Sequence, residues 1–304
     1  MAWGDITYQS TTRKEDLMDF IADVSPDENP LSTMFKTTKA SGTLHEWTED
    51  YQGRPTSVNS AIEGSEATFS DLNNPVRRNN VTQIIKETYK VSGTLDAVDV
   101  AGMSSMLDYQ ATKAAKIWKN DLEYAILNAT RASGDSGVSR TMSGIEATVT
   151  SHYTARLSGT SLSETELNNM VYDVASDVGM DDVFDMLVLP LQLRQKVSTF
   201  TAGSTKFVNA EDKRLTRPVA VYESDFNVMR IFGHKDVRSA AATPGPTILG
   251  LKEDKWALAY LRQPKRKALP SNGDYEAGQI LGEVTLEFLA ERANARRSGY
   301  NQQG

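Results

Sequence analysis

The chain has 304 residues, of which 39% are hydrophobic and 24% charged, and its formal net charge is −7. This composition is typical of a globular protein of one or two domains. The lack of cysteine excludes disulfides and thiolate chemistry, and the acidic balance argues against a nucleic-acid reader, which usually carries a basic face. The N-terminus has no apolar run, and no segment reaches the roughly 20 apolar residues of a membrane span, so we expect a soluble intracellular protein.

The first 42 residues lack the pattern of a stable core, and we interpret them as an N-terminal arm. A short apolar helix pattern passes through Leu17 and Phe20, and Pro26 and Pro30 then interrupt the chain. The composition fits two arrangements equally well. The segment either packs on its own domain or crosses a neighbouring subunit.

Residues 43–92 predict two strands separated by a long polar connection. A short strand is predicted at 43–47, and a second one at 79–92, where Val81, Ile85, Tyr89 and Val91 share one parity and Gln83 and Glu87 are the exceptions. The connection at 48–78 is weakly patterned, and connections of that length are usually functional. Because a two-stranded ribbon is only marginally stable in water, we expect it to lie on another subunit.

Residues 104–131 have the pattern of one long amphipathic helix. Ser105 followed by Asp108 indicates its first turn, and Arg131 lies in its predicted last turn. Glu123 falls off the apolar stripe. The stripe recurs at steps of three or four residues and consists of Leu107, Ala111, Ala114, Trp118, Leu122, Ala125 and Ala129. A long amphipathic helix also occurs in the core of ordinary domains. The segments on either side of it are therefore needed to assign it to a fold.

Residues 163–246 predict a compact βα region inserted as a second lobe. Ser163 and Glu166 form a capping box for a helix that ends at Gly179. A buried strand at 185–189 precedes a further helix, and two paired strands follow after residue 218.

The C-terminal part, from residue 247 onward, is rich in strand patterns. Residues 248–251 and 256–261 flank a polar tetrapeptide and predict a hairpin. Residues 280–288 alternate between apolar and polar, as in a half-buried strand. We expect these strands to pair with the strand at 81–91 and to cover the long helix. The predicted fold class is therefore α+β.

No catalytic or metal-binding pattern occurs in the sequence. His45, His152 and His234 have no companion at metal-ligand spacing, and we interpret them as hydrogen-bonded structural residues. Nucleotide-binding, nucleophile-elbow and EF-hand motifs are absent. Carboxylates on polar stretches, such as Glu49 and Asp182, are interpreted as solvated charges. The sequence thus predicts a structural protein with no enzymatic activity, no cofactor, no metal and no small-molecule substrate.

Short motifs spread along nearly the whole chain point to one family. They are Ser25-Pro26, Asn29-Pro30-Leu31, 45–50 (HEWTED), Glu63-Gly64, 79–83 (NNVTQ), Val91-Ser92, Gly102, 222–226 (YESDF), Asp254-Lys255-Trp256 and 283–286 (EVTL). Together with the order of the predicted pieces, they make the sequence similar to the major capsid proteins of tailed bacteriophages with the Hong Kong 97-type fold. The resemblance is greatest to the SU-ten-like group of short-tailed phages.

This resemblance implies an α+β capsid fold with five parts. They are an N-terminal arm at 1–42, an extended loop with flanking strands at 43–92, a peripheral domain with the spine helix at 93–162, an axial domain at 163–246, and peripheral C-terminal strands at 247–304. It also implies a homo-oligomeric, icosahedral shell of pentamers and hexamers that encloses double-stranded DNA in the virion and is assembled in the host bacterial cytoplasm. The implied partners are a portal, a scaffold, optional decoration proteins and DNA bound without sequence specificity, with no membrane.

Four residues in or beside the predicted loop are candidate intersubunit contacts: Trp47, Arg54, Arg77 and Arg78. Arginine can bind a neighbour's carboxylate through two parallel hydrogen bonds. Some relatives cross-link a loop lysine to a neighbour, but residues 48–78 contain no lysine, so we expect no such bond.

Two alternatives remain open. The first is an encapsulin-like compartment of the same fold, which encloses protein cargo; neighbouring portal and terminase genes would argue against it. The second is an enzyme or binding module, which a deep pocket lined by paired carboxylates or histidines would indicate.

Overall fold

We describe the fold from a computed structural model, which defines residues 29–52, 58–66, 73–98, 105–200, 221–224, 226–238 and 245–301. The predicted helix pattern at Leu17 and Phe20, as well as Gly102, lies outside these ranges. The described residues form two units. The first contains Lys86–Trp118 and Arg266–Ile280, and the second contains Asn29–Ile85, Lys119–Lys265 and the segment from Leu281 onward. None of the described helices is long and apolar enough to cross a membrane.

The described elements alternate between short helices and strands, with one long helix. In chain order they are α1 (Pro30–Met34), β1 (Lys36–Lys39), β2 (Leu44–Glu49), β3 (Val76–Val81), β4 (Gln83–Ser92), α2 (Gly93–Ala97), α3 (Met106–Asn128), α4 (Ile145–Thr148), β5 (Tyr153–Thr160), α5 (Glu164–Val178), β6 (Met186–Pro190), α6 (Leu191–Phe200), β7 (Val221–Glu223), β8 (Val228–His234), β9 (Thr247–Leu251), β10 (Trp256–Leu269), β11 (Tyr275–Phe288) and β12 (Ala295–Tyr300). Turns of 3₁₀ helix at Glu253–Lys255 and Glu291–Ala293 precede β10 and β12.

The described strands form three sheets. Their orders are β1-β10-β11-β4, β5-β12-β9-β6-β8-β7 and β2-β3. The pairing of β11 with β4 confirms the expected pairing of the C-terminal strands with the strand at 81–91. The mixture of helices and sheets agrees with the predicted α+β class.

The six-stranded sheet lies in the second unit around β6. All five residues of β6 are buried, as expected for a continuous apolar run covered on both faces. The predicted cap of α5 is confirmed, because Glu166 N donates to Ser163 Oγ at 3.3 Å and the helix ends at Gly179 with φ 93°. The predicted strand pair is β7 and β8, which run antiparallel. The sheet also includes β5, β9 and β12, and the domain boundaries inferred from the resemblance stay a prediction.

Helix α3 confirms most of the predicted spine helix. Asp108 N donates to Ser105 Oγ at 3.3 Å in its first turn. The middle of the predicted stripe is buried, and Trp118 is only 4% exposed. Glu123 lies off the apolar stripe, as the pattern indicated, yet its carboxylate is fully buried.

Glu123 is buried because it receives three hydrogen bonds from elsewhere in the second unit. The backbone N–H groups of Leu31 and Ser32, in the first turn of α1, donate to its two oxygens at 2.8 Å each. His234 Nε2 lies 3.0 Å from Glu123 Oε1. Since Asp236 N donates to His234 Nδ1 at 3.0 Å, the imidazole proton is on Nε2 and is donated to Glu123. This carboxylate thereby joins α1, α3 and β8.

Two strand predictions were wrong in how the strands connect. Residues 79–92 form two strands instead of one, because the chain leaves the ribbon at Thr82, whose Oγ1 donates to the buried Glu283 at 2.7 Å. Residues 248–251 and 256–261 do not form a hairpin. The first segment belongs to β9, which pairs with β6 and β12, whereas the second belongs to β10, which pairs with β1 and β11. The 3₁₀ turn between them redirects the chain from one sheet to the other.

In the first unit, the side chain of Arg266 joins three elements. Its Nε donates to Tyr89 Oη on β4 at 2.6 Å, and its Nη1 donates to Asp108 on α3 at 2.8 Å. Gly278 on β11 lies against the same tyrosine, since a Cβ at this position would come within 2.3 Å of Tyr89 Oη. Close packing of β4, β10 and β11 around Tyr89 therefore requires glycine here.

Candidate intersubunit contact site

Strands β2 and β3 form an antiparallel ribbon that carries three of the four candidate contact residues. Trp47 lies opposite Arg78, and Thr48 lies opposite Arg77. Directly opposed residues of an antiparallel pair share a face, so Trp47 and Arg78 lie on one face and Arg77 on the other. Arg54, the fourth candidate, lies outside the described residues.

One face of the ribbon packs on β11 and the turn after it. The Trp47 ring meets Phe288 edge to face with centroids 4.7 Å apart, and Trp47 is 9% exposed. His45 Nε2 lies 3.3 Å from Glu287 Oε2. The described part of the chain provides no acceptor for Trp47 Nε1. Within the subunit, Trp47 therefore anchors the ribbon, and its role between subunits stays a prediction.

Glu49 at the end of β2 is not the solvated charge that the sequence suggested. Its side chain is 10% exposed, and its carboxylate accepts hydrogen bonds from Arg78 Nε at 2.7 Å and from Glu291 N at 3.0 Å. The bond to the backbone of Glu291 crosses from the ribbon to the C-terminal segment, which explains the burial. Sequence patterning missed it because these partners are distant in the chain.

The two adjacent arginines of β3 differ in what they contact. The Arg77 side chain is 74% exposed, and its Nη1 lies 3.7 Å from Glu46 Oε2. The Arg78 side chain is 45% exposed and is held by the short bond to Glu49. Exposed ion pairs contribute under about 1 kcal/mol to the stability of a subunit. Both guanidinium groups therefore remain available for a second partner.

A cluster of side chains ties the start of the long loop to the end of α5. Tyr51 Oη donates to Asp177 Oδ1 at 2.6 Å, and Arg292 Nη1 lies 3.1 Å from Asp177 Oδ2. The Arg292 guanidinium also stacks 4.0 Å from the centre of the Tyr51 ring. His152 Nε2 lies 3.3 Å from the same carboxylate. The cluster borders a cleft of about 690 Å³.

Hydrogen bonding in this cluster shifts two pKa values. Burial disfavours the charge of Asp177, but the hydrogen bonds from Tyr51 and Arg292 outweigh it and hold the pKa of this carboxyl below its usual range. The bond to Asp177 raises the pKa of the Tyr51 hydroxyl. At neutral pH, the raised pKa keeps the Tyr51 hydroxyl protonated as the donor. The lowered pKa keeps the Asp177 carboxylate ionised as the acceptor. The ionised carboxylate therefore stabilises the point where the chain leaves the ribbon.

A second cleft, of about 360 Å³, lies where the ribbon meets the segments after α3 and β11. It is lined by Arg77, Arg78, Asn79, Arg131, Ser143, Ala147, Thr148, Thr150, Phe288 and Glu291. The prediction that Arg131 lies in the last turn of the long helix was wrong, because α3 ends at Asn128. The place of Arg131 beside the two β3 arginines comes from the tertiary structure.

The described residues offer contact surfaces more than reactive groups. They contain no group of three or more His, Asp or Glu side chains that could hold a metal ion. His45 and His234 each contact one glutamate, which confirms their interpretation as hydrogen-bonded structural residues. The arrangement is suited to binding charged and apolar groups of another protein chain.

Comparison with known protein families places this chain among capsid proteins. A family model described as SU10 major capsid protein matches residues 5–301. The major capsid protein of Escherichia phage Phieco32 is 28% identical over 123 residues, which are 40% of this chain. The match spans only 35% of that relative's length.

Solved structures show the same fold at low sequence identity. The cyanophage A-1(L) capsid protein has a TM-score of 0.66 and 12% identity, covering 95% of this chain and 97% of its own. The SrpI encapsulin of Synechococcus elongatus PCC 7942 has a TM-score of 0.61 and 11% identity, and the alignment covers 100% of this chain and 98% of the encapsulin. The fold is therefore the Hong Kong 97-type capsid fold. Since the family model matches nearly the whole chain, the chain belongs to the SU10 major capsid protein family.

Proposed function

We propose that this chain is the major capsid protein of a tailed bacteriophage. It self-assembles through pentamers and hexamers into an icosahedral shell that encloses the double-stranded DNA genome. The observation that carries this proposal is the family match over residues 5–301, which includes the ribbon, the spine helix and both large sheets.

The geometry of the ribbon supports a role in assembly. One of its faces packs on the subunit, whereas the other carries Arg77 and Glu46 in exposed positions. The described part of the connecting loop also exposes large apolar side chains, with Val58 at 90% and Ile62 at 84%. Such a segment gains stabilisation mainly by packing on another chain.

The proposed partners follow from the same role. Further copies of the chain surround each subunit in the shell, and a portal, a scaffold and optional decoration proteins complete the particle. The shell lies in the virion after assembly in the host bacterial cytoplasm, and its contacts with DNA are not sequence-specific. A subunit with this role needs no catalytic activity, cofactor or membrane. Trp47, Arg54, Arg77 and Arg78 are proposed as intersubunit contacts.

Shortening the loop tests the proposal. Glu49 lies opposite Val76 in the ribbon, so an Asn-Gly turn can replace residues 50–75 while keeping the register. We expect the shortened subunit to remain folded by circular dichroism and to form no shells in electron micrographs. The full-length chain should form shells under the same conditions.

A matched control separates the loop from its anchor. Tyr51→Phe removes only the hydroxyl that donates to Asp177 and keeps the remaining loop, so this variant should still assemble. Intact shells from the shortened chain would contradict the proposed role of the loop. An unfolded shortened subunit would contradict it as well, because the loop would then belong to the core of the subunit.

The encapsulin is a second candidate, because its solved structure covers the whole of this chain. The contents of particles purified from phage-producing cells separate the two functions. Nuclease-protected double-stranded DNA inside the particles supports the capsid function. Particles that contain a protein cargo and no DNA would support the compartment function instead.

A further inference from the structure

We propose that Arg77, Arg78 and Arg131 form a carboxylate-binding cleft that accepts the acidic turn at residues 63–66 of a second copy of this chain. The inference rests on the proposed shell, in which copies of the chain meet in fixed contacts. It identifies both the receiving site and the segment that occupies it.

The cleft carries positive charge that the subunit does not neutralise. Arg131 is exposed, and its guanidinium has no hydrogen bond or ion pair within the described ranges. The only ion pair of Arg77 among those residues is the 3.7 Å contact with Glu46, which lies on the exposed face of the ribbon. Three arginines thus line a volume of about 360 Å³, and their guanidinium groups keep N–H donors that no described residue uses.

The carboxylates nearest to the cleft are already engaged. Glu291 is 4% exposed and accepts the backbone N–H groups of Thr150 and Ser151 at 2.6 Å each. Glu49 accepts from Arg78 Nε and from the backbone of Glu291. Neither compensates Arg131. Because Phe288 forms an apolar wall beside these arginines, the cleft suits a carboxylate on a short apolar stem.

The turn at residues 62–65 has the complementary chemistry. Ser65 N donates to Ile62 O at 3.0 Å, and Gly64 has φ 78°, as in a type II turn that presents Glu63 at its tip. Glu63 and Glu66 are both exposed, and Ile62 beside them is 84% exposed. The turn therefore offers two carboxylates and an aliphatic side chain to a cleft with arginines and a phenyl ring.

The composition of the chain favours a carboxylate over a DNA phosphate as the ligand. A duplex backbone is bound by many cations along its length, whereas these three arginines line one small cleft. The net charge of −7 makes carboxylates abundant on every neighbouring copy and opposes binding of a polyanion.

Charge reversal with rescue tests the contact in the shell. Arg131→Glu should abolish shells, and adding either Glu63→Arg or Glu66→Arg in the same chain, which leaves the other glutamate for Arg77 and Arg78, should restore them. Lys119→Glu, which makes the same change of charge at another exposed position, should leave assembly intact. Unchanged shell yield for Arg131→Glu would overturn the inference while leaving the proposed function intact, and so would a failure of the rescue in a folded subunit.

Peptide binding tests the cleft without assembly. A labelled peptide of residues 58–66 is titrated into the full-length subunit carrying Glu63→Gln and Glu66→Gln, with anisotropy as the readout. Arg131→Gln should weaken binding by about tenfold, the effect of one lost charge-assisted hydrogen bond. A peptide with both glutamates replaced by glutamine should lose affinity as well. Equal binding by these peptides, or stronger displacement by a short DNA duplex than by unlabelled peptide, would overturn the inference.

Discussion

The six-stranded sheet and the β2–β3 ribbon bury their strands in different ways. All five residues of β6 are buried, and the strand lies between β8 and β9. Trp47 is the only residue of β2 that is buried, and the residues that alternate with it are exposed. Strand β6 is thus stabilised by its own subunit on both faces, whereas the ribbon has one face that contributes little to the stability of the subunit. Sites for assembly are expected on surfaces of the second kind.

Removing a large side chain from the sheet should have the largest effect on the subunit. Phe184 is fully buried two residues before β6, and Phe184→Ala should lower the free energy of unfolding by about 3–5 kcal/mol. Urea unfolding of unassembled subunits measures this loss. Val221→Ala on β7 is the control, because Val221 is 50% exposed and should change stability by at most about 0.5 kcal/mol. Equal losses of unfolding free energy in Phe184→Ala and Val221→Ala would contradict the expectation that buried positions stabilise the subunit more than exposed ones.

Adding a methyl group to the sheet should have the next largest effect. A Cβ on Gly250 of β9 would lie 2.8 Å from ring carbons of Phe184, so Gly250→Ala should cost about 1–3 kcal/mol through overpacking. The double variant with Phe184→Ala removes the ring that causes the clash. We expect its urea midpoint to equal that of Phe184→Ala alone or to exceed it. A further loss of the same size in the double variant would place the strain elsewhere.

The same contrast explains what could be predicted from the sequence. Helix α3, the cap of α5 and strand β6 were predictable because each depends on residues a few positions apart. Glu123 was not, because its partners Leu31 and His234 are 92 and 111 residues away in the chain. A buried carboxylate on the polar side of a helical pattern has no local signature, since distant donors determine its burial.

Connections between sheets were equally hard to predict. The alternation of residues 79–92 continues through Thr82, although the chain changes sheets there. The alternation of residues along a strand indicates which side chains are buried, but it does not identify the neighbouring strand with which the backbone hydrogen bonds form. The place of Arg131 in the cleft depends on the same tertiary information, so sequence reasoning located two of its three arginines and missed the third.

The anchor of the loop, between the two regions, should show a smaller and pH-dependent effect. Asp177→Asn removes an ionised acceptor for Tyr51 and Arg292, and should cost about 1 kcal/mol at neutral pH. The pKa of Asp177 is depressed in the folded chain, so its contribution is present above the unfolded carboxyl pKa of about 4 and is lost as the pH falls through the folded value.

Urea unfolding at several pH values measures this effect. The difference in stability between the wild type and Asp177→Asn should shrink as the pH drops below about 4. Asp181→Asn, at an exposed aspartate just after the same helix, is the control and should show a smaller difference at neutral pH. A difference for Asp177→Asn that stays constant down to the acid transition would exclude the ionised carboxylate as its source.

The smallest effect on the subunit is expected at the exposed face of the ribbon. Arg77→Ala should change the free energy of unfolding by less than about 1 kcal/mol, because the pair with Glu46 is exposed and 3.7 Å long. The same variant should raise the protein concentration needed for shells to form, measured by light scattering. Glu46→Ala breaks the same pair but leaves the cleft arginines in place, so it should affect assembly less. If the two variants raise this concentration equally, the effect of Arg77→Ala comes from the loss of its pair with Glu46. The exposed face of the ribbon would then contribute to assembly through contacts that do not involve the cleft.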